Sequence, residues 1–297
     1  MILARLLVLI LLLSAYGPAQ AQRATSLALD TGWHGLPQVS VTLNGSVDAH
    51  FIIDTAASKT IVSGATMGRL GLSDPGEPAR LSGSTGQGSV HRFTLASLRM
   101  GAREYRGLRA FALPRLTRSA PIDGLIGADI LRDYVVEFDL PGDRARLFGQ
   151  HDEIVRDERD WISVPFRERA DGLLILAVSI GPLRVPALFD TGATQSIMNH
   201  ATARELGLHL FPDSASREAI GGASGHVQQM HQLNISRFSL GEFTVERSPM
   251  GVADLAIFDT LEIGDRPAML LSAAALSDRR FIIDYPRDRL LIARNPA

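Results

Sequence analysis

Two stretches decide the fold: Phe51-Ile52-Ile53-Asp54-Thr55-Ala56-Ala57-Ser58 and Ala187-Leu188-Phe189-Asp190-Thr191-Gly192-Ala193-Thr194. Each is an apolar strand that ends in an acid, followed by Thr, two small residues and a hydroxyl. An acid at that place leaves a buried strand and enters a tight loop, where backbone N–H groups and hydroxyls can hold its carboxylate. One such acid reads as an ordinary strand end. Two in matched surroundings point to carboxylates brought face to face. Such a pair cannot easily ionise twice and so shares a proton, one member acting as base on water and the other as acid.

The surroundings repeat as well. Asp190 lies 136 residues after Asp54, and Thr202/Thr66, Leu206/Leu70 and Gly207/Gly71 keep that offset. The small-residue turns around Gly83 and Gly222 are 139 apart, and Asp139 and Asp284 are 145 apart. A slowly growing offset means two copies of one unit with short loop insertions.

Within the first copy, Gln38 to Leu43 alternates apolar and polar, and Asn44-Gly45 is a strong hairpin signal. Val47 to Ile53 returns as the strand that delivers Asp54. Ala65 to Leu70 predicts a short helix stopped by Gly71. Gly83-Ser84-Thr85-Gly86 predicts a mobile hairpin tip. Asp123-Gly124-Leu125-Ile126-Gly127 runs into a short helix, and Val135 to Asp139 and Arg144 to Phe148 close the unit.

The second copy restarts with Leu174 to Ile180 and Arg184 to Phe189. A second small-residue tip follows at Gly222-Ala223-Ser224-Gly225, then the segment Leu270-Leu271-Ser272. Short strands, turn signals and few helices predict an all-β protein with two similar lobes and a cleft between them. The predicted organisation is a leader over 1–21, an N-terminal lobe over 22–150, a charged linker over 151–161 and a C-terminal lobe over 162–297.

These loops resemble the Asp-Thr/Ser-Gly-Ala loops of retropepsin-like aspartic proteases, and the likeness runs through most of the chain after the leader. The resemblance implies a retropepsin dimer fused into one chain, with two β lobes related by a pseudo-twofold axis and a flap on each. It implies Asp54 and Asp190 as the catalytic dyad, and Thr55 and Thr191 as threonines that interlock across the axis. It also implies that Ser58 and Thr194 donate to the outer carboxylate oxygens, that the flaps clamp an extended peptide or protein substrate, and that the protein works as a monomer without cofactor or metal. The function implied is an aspartic endopeptidase in which the dyad activates water.

Two positions depart from the family pattern. Ala56 stands where it has Gly, adding a methyl where the loops approach most closely, and alanine resists positive φ. Leu270-Leu271-Ser272 ends in Ser where Leu125-Ile126-Gly127 keeps Gly, so a hydroxymethyl must fit behind the Asp190 loop. Both motivate an alternative, a catalytically impaired peptide-binding module. A purely structural envelope protein with a filled cleft is a third reading.

Composition narrows the field further. The chain has 297 residues, 45% hydrophobic, with a formal net charge of −2 and no basic block, which argues against nucleic acid. It has no Cys, which excludes thiol nucleophiles, thiolate metal sites, disulfides and a lipidated cysteine. The eight His form no His-Glu-x-x-His, and no Gly-x-Ser-x-Gly elbow appears. Gly83 to Gly88 contains a Gly-x-x-Gly-x-Gly pattern, but strands follow it where a phosphate loop would open a helix. At the N-terminus, Arg5, the apolar run Leu6 to Leu13 and Ala19-Gln20-Ala21 read as a cleaved signal peptide. The run is short for a membrane anchor, so a periplasmic or secreted mature protein is expected, free of the membrane after cleavage.

Overall fold

The computed structural model describes residues 24–72, 76–113, 122–155, 157–209, 217–222 and 226–296. The leader and Ala223, Ser224 and Gly225 lie outside them.

Each lobe is a rolled sheet. In the N-terminal lobe seven strands run in the order Gln38–Leu43, Val47–Ile53, Gly124–Ile126, Ile61–Ser63, Arg103–Leu113, Gly86–Met100, Glu77–Gly83. The sheet closes on itself where Val41 pairs with Met100 and Leu43 with Leu98. The C-terminal lobe repeats the plan with eight strands, from Arg167–Glu168 and Leu174–Ile180 through Leu183–Asp190, Met269–Ser272, Ser196–Met198, Phe243–Val252 and Val227–Leu240 to Arg217–Gly221, and closes through Ser179 and Ser239.

The local signals act as chemistry requires. Asn44 and Gly45 both take positive φ, 48° and 71°, which turns the hairpin with the twist of its strands. The helices Gly64–Arg69 and His200–Glu205 are capped by Ser63 and Asn199, whose side chains accept from Thr66 N and Thr202 N. Gly71 and Gly207 follow in the left-handed region, where alanine would be strained.

A third, six-stranded sheet joins the lobes, in the order Thr25–Ala28, Arg144–Gly149, Tyr134–Asp139, Arg280–Asp284, Arg289–Ala293, Trp161–Pro165. Its central pair is antiparallel and matches Ile282 with Glu137. Those two positions are 145 apart, the offset of the repeat there. A residue paired with its own counterpart marks where a pseudo-twofold axis crosses the sheet. Phe281 stacks on Phe138 at 4.8 Å and meets Phe189 edge-on at 5.9 Å. Phe189 precedes Asp190, so this buried aromatic group fixes the C-terminal acid strand against the inter-lobe sheet. Trp161, assigned to the linker on composition, is the first residue of an outer strand of this sheet and pairs with Ala293.

Candidate active site

The two acids meet beside the axis. Asp54 leaves the Val47–Ile53 strand, and its N–H donates to Ile126 O at 3.0 Å. Asp190 ends Leu183–Asp190 and pairs in parallel with Ser272. The paired parallel strand in each lobe pins the acid while the loop turns away. The two carboxyl groups lie within hydrogen-bonding contact of each other.

Thr55 and Thr191 interlock beneath them as the resemblance implied. Thr55 Oγ1 donates to Phe189 O at 2.9 Å and accepts from Thr191 N at 3.1 Å. Reciprocally, Thr191 Oγ1 donates to Ile53 O at 2.6 Å and accepts from Thr55 N at 3.1 Å. Both threonines are fully buried. Four hydrogen bonds across the axis thus set the spacing of the carboxylates, and every buried polar atom of the two hydroxyls is used.

The loops hold the acids through backbone N–H groups. Asp54 Oδ1 accepts from Ala56 N at 2.9 Å and Ala57 N at 3.1 Å. Asp190 Oδ1 accepts from Gly192 N at 2.7 Å, with the Ala193 N–H adding to the hold. Ser58 and Thr194 differ from expectation. Among the described residues neither hydroxyl bonds a carboxylate, and both residues line the cleft wall. They stand one residue beyond the turn, so the N–H groups of Ala57 and Ala193 reach the acids in their place.

Burial pushes both acids up. The carboxyl of Asp54 rises from 3.8 to about 6, chiefly by loss of water, with the Ala56 and Ala57 N–H groups pulling it back. Asp190 rises well above the ordinary carboxylate range, first by desolvation and then by the charge of Asp54. Asp54 therefore ionises before Asp190, because its charge raises the Asp190 carboxyl further, and the proton the pair keeps sits on Asp190.

Both departures from the family pattern are accommodated. Ala56 keeps the N–H to Asp54, and its φ is negative, so alanine carries no backbone strain there. Its methyl packs against the C-terminal lobe's apolar cluster around Leu188 and Leu270. Gly192 has no such room, since a Cβ there would sit 2.6 Å from Asp54 Cγ. Ser272 is fully buried; its Oγ donates to Ala193 O at 2.6 Å and accepts from Ala274 N at 3.0 Å. In the N-terminal lobe the corresponding carbonyl, Ala57 O, takes the N–H of Ala128 at 2.8 Å. The serine hydroxyl thus performs in one lobe what a backbone N–H does in the other. A Cβ at Gly127 would lie 2.5 Å from Lys59 C, so the exchange works on one side only.

The flaps close over this floor. Ser84 and Thr85 form the turn between Gly83 and Gly86, which pair across the hairpin. Thr85 Oγ1 donates to His226 O at 2.9 Å, across the roof of the cleft. A Cβ on Gly222 would meet Ser84 Oγ and Thr85 Oγ1 at 2.6 Å each, so the two tips are in contact. Ile257 N, in the short helix Ala256–Thr260, donates to Ser84 O at 3.4 Å and anchors the first flap to the opposite lobe. The sequence reading missed this helix; it is short and buried on one face.

Between floor and flaps lies a cavity of about 460 Å³. Its apolar walls come in repeat-related pairs: Ile52 with Leu188, Ile61 with Ile197, Leu125 with Leu270. Leu36 and Leu173 form another pair, each after a glycine with positive φ, Gly35 and Gly172. The strings His34-Gly35-Leu36 and Asp171-Gly172-Leu173 share an offset of 137, a signal in the sequence that would have located these wall residues.

The sequence model of the aspartyl protease family matches residues 39–130 and 176–274, one region in each lobe and together more than half of the chain. The chain belongs to the aspartyl protease family. The double match follows the internal repeat and fits two fused retropepsin-like units. No curated protein sequence matches the chain.

Proposed function

We propose that the protein is an exported aspartic endopeptidase that hydrolyses extended peptides between its two lobes. The observation that carries this is the pair of contacting carboxyl groups with divergent ionisation, locked by four threonine hydrogen bonds at the base of a flap-covered cleft.

In this reading a water lodges between the carboxyls. Asp54, ionised, takes a proton from it as its oxygen attacks the scissile carbonyl carbon. Asp190 gives its proton to the carbonyl oxygen, forming a gem-diol. Collapse of the diol passes a proton to the leaving amine, breaks the C–N bond and returns the dyad to one proton. Acid–base transfer of this kind contributes roughly 10²–10⁴-fold, and the fixed spacing adds positioning. The flap tips touch, so they part to admit a peptide. Their backbone edges then bind it as an added strand while the paired apolar walls take alternate side chains.

Arg5, the Leu6 to Leu13 run and Ala19-Gln20-Ala21 support export to the periplasm or beyond. Among the described residues no helix is long and apolar enough to cross a membrane. The test is cleavage of a fluorogenic peptide library by the wild-type protein, Asp54→Asn and Asp190→Asn. Turnover abolished in both variants is expected; turnover that persists in either removes the assignment.

A further inference from the structure

The charge lining the cleft breaks the pseudo-twofold symmetry. Apart from the dyad, the charged residues that line it among the described residues are Lys59, Arg80 and Asp171. Lys59, the only lysine in the chain, stands on the floor five residues after Asp54. Arg80 stands on the roof, in the flap strand Glu77–Gly83. Both are exposed, and among the described residues no ion pair or hydrogen bond engages either side chain. Asp171 is answered by Arg169 Nε at 3.4 Å and accepts from Leu173 N at 3.4 Å.

The repeat-related positions in the other lobe carry no charge. At the floor stands Gln195, with its Oε1 taken by Gln232 Nε2 at 2.8 Å and its own Nε2 directed to Met230 Sδ at 3.3 Å. At the flap stands Ala219, at the offset of 139. One wall therefore offers two cations free of ion-pair and hydrogen-bond partners among the described residues, one below and one above the path of a bound strand, with Lys59 feeling only the charge of Asp129 at longer range; the other wall offers an engaged amide and no cation at the matching positions.

Resting on the peptidase reading, we propose that Lys59 and Arg80 select substrates with an aspartate or glutamate side chain on the side of the scissile bond held by the N-terminal lobe. The carboxylate enters between floor and flap and takes charge-assisted hydrogen bonds from both, in a cleft whose apolar walls exclude part of the water. Arg80 moves with the flap, so an acidic side chain also draws the flap down over the peptide. The C-terminal wall accepts neutral side chains.

The test separates recognition from turnover. The full-length Asp54→Asn protein is titrated with fluorescein-labelled octapeptides that differ only by Glu or Gln, scanned through every position, and binding is read by anisotropy at low and high salt. Tighter binding of Glu at one position, by roughly tenfold at low salt, is expected, as is a smaller preference at high salt. Adding Lys59→Gln with Arg80→Gln should bring the ratio near one, and Lys59→Glu with Arg80→Glu should favour a Lys peptide. Equal binding of Glu and Gln peptides at every position, no binding of any peptide, a salt-independent preference, or a preference unaffected by the double substitution overturns the proposal. A Glu preference lost in the double variant but with no cleavage by the wild-type protein sinks the peptidase reading and leaves only acid-selective peptide binding by Lys59 and Arg80.

Discussion

Replacing Asp54 by Asn should stabilise the protein at neutral pH and leave its stability unchanged in acid. The half-buried carboxyl of Asp54 is raised from 3.8 to about 6. Between those values the native state binds more protons than the unfolded chain, so wild-type stability falls as pH rises through this window and stays low above it. A rise of that size corresponds to ~3 kcal/mol at about 1.4 kcal/mol per pH unit, and the side of Asp54 open to the cleft brings this nearer ~2 kcal/mol. Asparagine is never charged, keeps an oxygen to accept from the Ala56 and Ala57 N–H groups, and turns an amide toward Asp190. The difference between variant and wild type should be close to zero near pH 3.5, grow through pH 4–6, and keep growing above that range, because Asp190 relieved of the Asp54 charge ionises more readily in the variant. In a protein of this size it appears as a rise in Tm of roughly 3–4 °C at pH 7. Urea denaturation of both proteins from pH 3.5 to 8 measures it. An Asn variant that is less stable at pH 7, or a difference that does not change with pH, would refute the claim that burial of the dyad costs stability.

Three further outcomes follow from the contacts. Thr55→Ala strands the buried Phe189 carbonyl and Thr191 N–H, so it should cost roughly 2–4 kcal/mol in chemical denaturation, with Thr55→Ser recovering most of it. Gly192→Ala drives a methyl into the Asp54 carboxyl and should lower kcat/KM by ~100-fold, whereas Ala56→Gly should change it by less than about fivefold; the order of those two effects is the check. Ser272→Gly removes the hydroxyl bonded to Ala193 O and should cost about 1–2 kcal/mol, while Gly127→Ser, which collides with the Lys59 backbone, should cost about 3 kcal/mol or more in the same assay.

Much of the lobe structure is legible locally because its signals are local. Asn44-Gly45 fixes one hairpin, Ser63 and Asn199 start the helices, and Gly71 and Gly207 stop them. The repeat converts two ordinary strand-end acids into a facing pair, since only a twofold relation brings Asp54 and Asp190 together. The inter-lobe sheet is not legible in this way. Thr25–Ala28 pairs with residues more than a hundred positions later, and Trp161–Pro165 does the same with Arg289–Ala293, so no turn or spacing announces either register. The hydroxyls of Ser58 and Thr194 stand out in the sequence, but the tightness of the turn lets backbone N–H groups at Ala57 and Ala193 arrive first. Ser272 reads as a defect until its hydroxyl is seen standing in for a backbone donor.

The dependence of kcat/KM on pH, measured with a peptide lacking ionisable side chains, tests the shared proton most directly, because it reports the ionisation of the free enzyme. A bell is expected whose acid limb lies near pH 6, where Asp54 becomes the base, and whose alkaline limb falls as Asp190 gives up its proton. A rate that is flat across the acid limb, or that climbs without a maximum as Asp190 ionises, would contradict it.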